Sequence, residues 1–201
     1  MSAAVAADVS FHFSASDKKG SFHMLKYLVA YASETGNTKK IAEEIYNAIP
    51  DSRKEIINVR SFAGLHEAEN YFIGYWANCG TCSMEIIDLL SSLHGKNVAI
   101  FGTCGLGNTD AYYKKLELAA TTWLPGDNEV LGSYFCQGRM PVEFRQKYEA
   151  CRGKCSDEQL RIVIDAYDNA KTHPDRQDLL RAHVFASDII KKIASKYGFN
   201  K

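Results

Sequence analysis

The chain has 201 residues, 46% of them hydrophobic and 24% charged, with 24 basic and 24 acidic side chains that cancel. That length suits one well-buried domain, and the composition excludes a disordered chain. The neutral balance excludes recruitment of nucleic acid or an anionic membrane by bulk charge. No apolar run approaches the roughly 20 residues a membrane-spanning helix needs, so a cytoplasmic protein is expected.

Residues Met1–His23 are rich in Ala and Ser and lack periodicity, and Asp8 interrupts the apolar run a signal peptide would need. They read either as an expression-derived leader or as a native flexible arm, which leaves 24–201 as the expected domain. Lys26–Ala32 is an apolar run of strand length. Thr38–Ile49 follows as a helix with Ile41, Ala42, Ile45, Ala48 and Ile49 on one face, stopped by Pro50. Glu55–Val59 and Tyr71–Tyr75 read as strands, and Ser83–Leu93 as a helix that buries Ile86, Ile87, Leu90 and Leu93. Asn97–Phe101 is a fourth strand closed by Gly102, Asp110–Trp123 a helix, and Glu129–Phe135 a fifth strand. Helical patterns over Val142–Ala150, Glu158–Ala170 and Arg176–Tyr197 complete the chain.

Strands alternating with helices imply parallel pairing and right-handed crossovers. The expected fold class is therefore α/β: a doubly wound, five-stranded parallel sheet in the order 2-1-3-4-5. Ligands of such sheets bind outside the carboxyl ends of the strands, so the loops after the first, third and fourth strands are the ones to inspect.

The first of these, Ser33-Glu34-Thr35-Gly36-Asn37-Thr38, places three hydroxyls, one Gly and one Asn at a helix start. Unpaired N–H groups and a partial positive charge suit that position to a phosphate. Ser33, Thr35 and Thr38 are expected to add hydroxyl donors while Gly36 lets the backbone curl. One helix cap needs one such residue rather than four. Neither the Walker A pattern nor the GxGxxG fingerprint is present there.

Ser33, Thr35, Gly36 and Thr38 match every defined position of [ST]-x-T-G-x-T, and in this loop the chain resembles the flavodoxins. The resemblance runs from about Met24 to Lys192. It is nearest to short single-domain members with a Gly-x-Trp element after the third strand, here Gly74-Tyr75-Trp76, and Thr103-Cys104-Gly105 after the fourth. Phe135-Cys136-Gln137-Gly138-Arg139 and His173-Pro174-Asp175-x-x-Asp178 also fit that subgroup.

The resemblance implies FMN held without covalent linkage, and electron transfer as the role. It further implies that the second loop, including Trp76, Ala77, Gly80 and Thr81, meets the flavin ring. Trp76 is then the first choice for stacking and Tyr75 the second, with a core role the open alternative for each. Gly80 stands where the family flips a peptide toward the flavin. The third loop, Thr103, Cys104, Gly105, Leu106, Gly107 and Asn108, would lie at the other side of the ring. It lacks the acidic residue and tyrosine that many flavodoxins carry there.

The remaining signals are weaker. Cys79-x-x-Cys82 and Cys151-x-x-x-Cys155 have spacings seen in redox dithiols and metal sites, yet reduced thiols without a metal are expected, with a Cys79–Cys82 disulfide as an alternative. No histidine pair has ligand spacing. The leading expectation is a monomeric electron carrier working between a reductase and an acceptor protein. The alternative is an FMN-dependent reductase of a small molecule such as a quinone, a nitro compound or a tetrapyrrole, its pocket built from Pro141 to Arg176. A fold that had lost its cofactor is argued against by the intact first loop.

Overall fold

The computed structural model describes residues 24–61, 67–154 and 156–198. The readings of 1–23 and of Cys155 fall outside these residues. Five strands, β1 (Leu25–Tyr31), β2 (Lys54–Asn58), β3 (Ala68–Trp76), β4 (Asn97–Cys104) and β5 (Glu129–Gln137), form one sheet in the order β2-β1-β3-β4-β5. Every pairing is parallel. The helices are α1 (Asn37–Ala48), α2 (Met84–Ser92), α3 (Asp110–Thr121), α4 (Val142–Glu149), α5 (Asp157–Ala170) and α6 (Arg176–Gly198). The expected order and element count therefore hold.

Side chains of a strand alternate between faces, and each face here has its own apolar cluster. Tyr27, Val29, Phe72 and Phe101 pack against Ile41 and Ile45 of α1 and Ala182, Ala186 and Ile189 of α6. Leu28, Ala30, Ile73 and Ile100 pack on the opposite side against Ile86 and Leu90 of α2 and Leu116 of α3. On α2, Leu89 is buried as well, and Ile87 is only partly buried, though still packed against this cluster.

Three strands, β3, β4 and β5, run further toward their carboxyl ends than the sequence suggests. Gly102 was expected to close the fourth strand, but the pairing continues through Gly102↔Phe135, Thr103↔Cys136 and Cys104↔Gln137. Gly102 is a packing device: a Cβ there would lie 2.6 Å from the Phe135 ring and 2.7 Å from the Tyr75 carbonyl. Thr103 and Cys104 accordingly belong to a strand, and the third loop begins at Gly105.

Between β5 and α6 the chain inserts α4 and α5. Arg145 ties them together, pairing with Glu149 at 2.9 Å and with Asp168 of α5 at 2.5 Å. Ser156 and Gln159 close a capping box at the start of α5. The open edge at β5 is blunted by Lys192, whose Nζ donates to the Leu131 carbonyl at 3.0 Å. Among the described residues no helix is long and apolar enough to cross a membrane.

Cys82, Cys104 and Cys136 are buried, whereas Cys79 is exposed. Burial raises all three buried thiols, that of Cys104 to about 12, so each stays neutral through the physiological range. Alkylation needs the thiolate, so iodoacetamide at about pH 8 is expected to modify Cys79 long before these three. Peptide mapping over a time course checks this, and equal early labelling of Cys104 and Cys79 would contradict the burial.

Candidate functional site

The loops after β1, β3 and β4 converge at the carboxyl edge of the sheet. Ala32 donates to the Gly74 carbonyl at 2.9 Å, and Ala77 to the Thr103 carbonyl at 2.8 Å, so each loop leaves from a fixed point. In the first, Gly36 is the N-cap of α1 with φ +85°, a left-handed conformation that side-chain-bearing residues rarely adopt. Gly36 has no side chain with which to cap this helix. Of the first-turn N–H groups, which lack intrahelical partners in any helix, that of Lys39 is met by Ser33 Oγ.

The hydroxyls and the amide of this loop have distinct roles. Ser33 Oγ accepts from Lys39 N–H at 3.3 Å, and Thr35 Oγ1 accepts from Asn37 Nδ2 at 2.9 Å. Both hydroxyls keep their own protons for a further acceptor. Thr38, expected to present its hydroxyl as a donor, is turned inward: its Oγ1 lies 2.9 Å from Thr103 Oγ1, with both residues buried. The pair has two protons and uses one between the oxygens. Glu34 is exposed.

Asn37 does something the sequence did not announce. Its amide also donates to the Arg139 carbonyl at 2.9 Å, bridging 102 residues of chain. Gly138 lies beneath that amide, where a Cβ would come within 2.9 Å of Nδ2. Gly138 N–H donates to the Cys104 carbonyl at 2.9 Å, and Arg139 N–H to the His173 carbonyl at 2.8 Å. The segment after β5 thus fastens the first loop, the end of β4 and the approach to α6. The only sequence signal for it was the Phe135–Arg139 element, which carries no hint of its partner.

The second loop opens with the two aromatics. Tyr75, the second choice for ring stacking, is instead a core residue: it is fully buried, its hydroxyl donates to the Leu116 carbonyl at 2.7 Å, and its ring meets Phe135 edge-on. Alternation in β3 puts Tyr75 with Tyr71 and Ile73 on the face covered by α2 and α3, and Trp76 is packed against the same cluster. Trp76 is half-buried, and the Arg60 guanidinium lies 5.5 Å from its ring centroid. Asn78 and Thr81 exchange backbone hydrogen bonds of 2.9 and 3.1 Å around Cys79 and Gly80. Their φ values of 51° and 84° are those of a type I′ turn. A left-handed Cys79 costs about 1–2 kcal/mol relative to an ordinary conformation. Ala77 and Thr81 are half-buried and Gly80 is exposed.

The third loop covers Gly105 to Thr109. Cys104 points inward, its Sγ 3.6 Å from the Gly107 and Cys136 carbonyls. Met140 packs on Gly105, where a Cβ would lie 2.3 Å from its sulfur. Leu106 and Gly107 are half-buried and Asn108 is exposed. Beside this loop a cleft of about 620 Å³ runs along the outer edge of β5 between α3 and α6. It is lined by Tyr113, Glu117, Gln137, His173 and Arg181, and by Asn108 alone of the residues expected at the site.

His173, Asp175 and Asp178 offer ligand atoms within 4.8 Å of one another. These atoms already serve each other: His173 Nδ1 and the Asp175 N–H meet Asp178 Oδ2, while Arg181 meets Oδ1. The cluster functions as the cap of α6.

The family model for the flavodoxin domain matches residues 28–187. The flavodoxin-like domain-containing protein BilS of Clostridioides difficile (strain CD3) is 35% identical over 173 residues, spanning 84% of this chain and 98% of its own. The protein of that name from Clostridium symbiosum (strain WAL-14163) is 29% identical over 176 residues, spanning 77% and 90%. Among solved structures, a flavodoxin from the domain Archaea superposes with a TM-score of 0.53 at 17% identity, over 84% of this chain and 99% of that one. Rubredoxin oxygen:oxidoreductase from Desulfovibrio gigas gives 0.57 at 12% identity, over 86% of this chain and 37% of that one. At these identities the two structures show the fold.

The Asn37 bracket generates a prediction for the ligand-free protein. Gly138→Ala should lower stability by ~1–3 kcal/mol, because its methyl overpacks against a held amide. The loss should shrink in an Asn37→Ala background, where the contact at 2.9 Å is gone and only that to Cβ at 3.1 Å persists. Denaturant midpoints for the four-member cycle test this, and additive losses would contradict it.

Proposed function

The chain belongs to the flavodoxin-domain family, and on that premise we propose that it binds FMN without covalent linkage and passes electrons between redox proteins. The observation that carries this reading is the donor set at the start of α1. The first-turn N–H groups of α1, a left-handed Gly36 and two hydroxyls with protons to spare would make a phosphate cradle with no cation among residues 33–38. Neutral donors and the helix dipole would hold the charge, and Thr38 with Thr103 would supply one further proton from beneath.

FMN, when bound, supplies one- and two-electron chemistry at its isoalloxazine ring. The residues of this chain would bind and orient it. Trp76 offers a ring at the strand end, the Asn78–Thr81 turn offers backbone groups in a fixed geometry, and Gly105 to Asn108 close the far side. Partners in this reading are a reductase and an acceptor protein, met by a monomer. A neutral chain does not draw them by net charge, so short-range complementarity would have to select them.

A second reading, an FMN-dependent reductase of a small molecule, is favoured by one feature. The cleft of about 620 Å³ beside Asn108 has the size of a ligand pocket.

An absorbance spectrum after incubation with FMN should show the two visible bands of a bound flavin, and a protein that stays colourless would overturn the proposal. For the phosphate cradle the informative variant is Ser33→Ala with Thr35→Val. Thr38→Val would also strip Thr103 of its buried partner and so mix folding with binding. Each hydrogen bond to a charged group is worth ~1.5–3 kcal/mol, so FMN affinity should fall at least about tenfold. Riboflavin, which lacks the phosphate, should bind the variant nearly as well as it binds the parent. Equal losses for both ligands would place the phosphate elsewhere.

A further inference from the structure

Neither Trp76–Ser83 nor Thr103–Asn108 contains a charged residue. A fixed charge nevertheless reaches this edge from the end of β2. Arg60 N–H donates to Asn58 Oδ1 at 3.1 Å and Ser61 N–H to the Asn58 carbonyl at 3.0 Å, so a tight turn fixes the backbone of Arg60. From there its side chain crosses toward β3. The guanidinium carbon lies 5.5 Å from the Trp76 ring centroid, within the range in which a cation is drawn to an aromatic face.

Nε of Arg60 is 3.5 Å from Oε1 of Glu85, in the first turn of α2. The Glu85 backbone N–H, then the Ser83 hydroxyl and, more weakly, the Arg60 charge hold that carboxyl below its ordinary value, so the pair is ionised at neutral pH. Both side chains are more than a third exposed, at 41% and 43%, so the pair adds little to stability. Its placement matters more than its strength. The cation sits over the indole and the anion is paired with the cation.

Resting on the reading of Trp76 as the ring that meets the flavin, we propose that Arg60 and Glu85 are positioning residues that set, with opposite signs, how strongly the site prefers reduced over oxidised FMN. Reduction adds negative charge to the flavin. A guanidinium on the neighbouring indole favours that charge, and the carboxylate opposes it. A ring stacked on Trp76 would lie within roughly 10 Å of the guanidinium, about one Debye length at 0.1 M salt, so screening leaves the interaction standing. Coulomb's law at effective dielectric constants between those of a protein surface and water makes the effect roughly two- to fifteenfold in affinity.

The test measures dissociation constants for oxidised FMN and for anaerobically reduced FMN on the full chain, with thermal melts of the ligand-free protein alongside. Arg60→Gln should weaken reduced FMN relative to oxidised FMN by roughly two- to fifteenfold, and Glu85→Gln should shift the same ratio the other way. Both shifts should shrink as salt rises. Equal weakening of the two oxidation states would assign Arg60 a merely structural role. Equal tightening would mean that its guanidinium occupies the face the flavin needs. Either result overturns the inference, as does a ratio that moves in the same direction for both variants. Failure of the parent protein to bind FMN at all would instead refute the function proposed above.

Discussion

The side-chain amide of Asn37 holds the functional edge of this protein together. Both of its N–H groups are used, one on Thr35 within the first loop and one on the Arg139 carbonyl after β5. The residue is 9% exposed, so neither bond competes freely with water. Arg139 and Gly138 then hand the constraint on to His173 and Cys104. A parallel sheet ends in loops that are individually loose. Here a single amide makes the first of them rigid by joining it to the exit of the edge strand, and the hydroxyls of Ser33 and Thr35 are aimed as a consequence.

Much of the fold was legible because each strand of a parallel sheet is a short apolar run and each helix carries one apolar stripe. What failed was local in appearance and long-range in cause. Gly102 looks like a strand terminator until Phe135 is seen lying across it. Tyr75 and Trp76 are adjacent aromatics, and the sequence ranks Trp76 first for a ligand without showing where either ring goes. Only the Leu116 carbonyl and the end of β3 at Trp76 bury one ring fully and leave the other half-buried against the same cluster.

The site divides in the same way. Six consecutive residues suffice to raise the expectation of an anion at the start of α1, since that reading needs local composition alone. The inward turn of Thr38 depends on Thr103, 65 residues away, and the Asn37 bracket on a partner 102 residues away. Arg60 was silent in the sequence because a lone arginine after a strand is an ordinary surface residue until the ring beneath it is known. Composition and periodicity see the elements, whereas assignments of this kind require knowing which loops meet.

The bracket also has a consequence for how the chain is made. Its two ends belong to opposite halves of the sequence, and non-local contacts of this span close late because loop entropy must be overcome first. The emerging N-terminal half contains every residue of the first loop yet cannot hold it in place. The loop acquires its fixed shape only when β5 has joined the sheet and the approach to α6 has docked. On the function proposed above, occupancy of the edge would become a completion check: a chain truncated before Arg139, or one with β5 unpaired, would lack the rigid first loop and with it the stabilisation that a bound ligand would confer on the finished molecule.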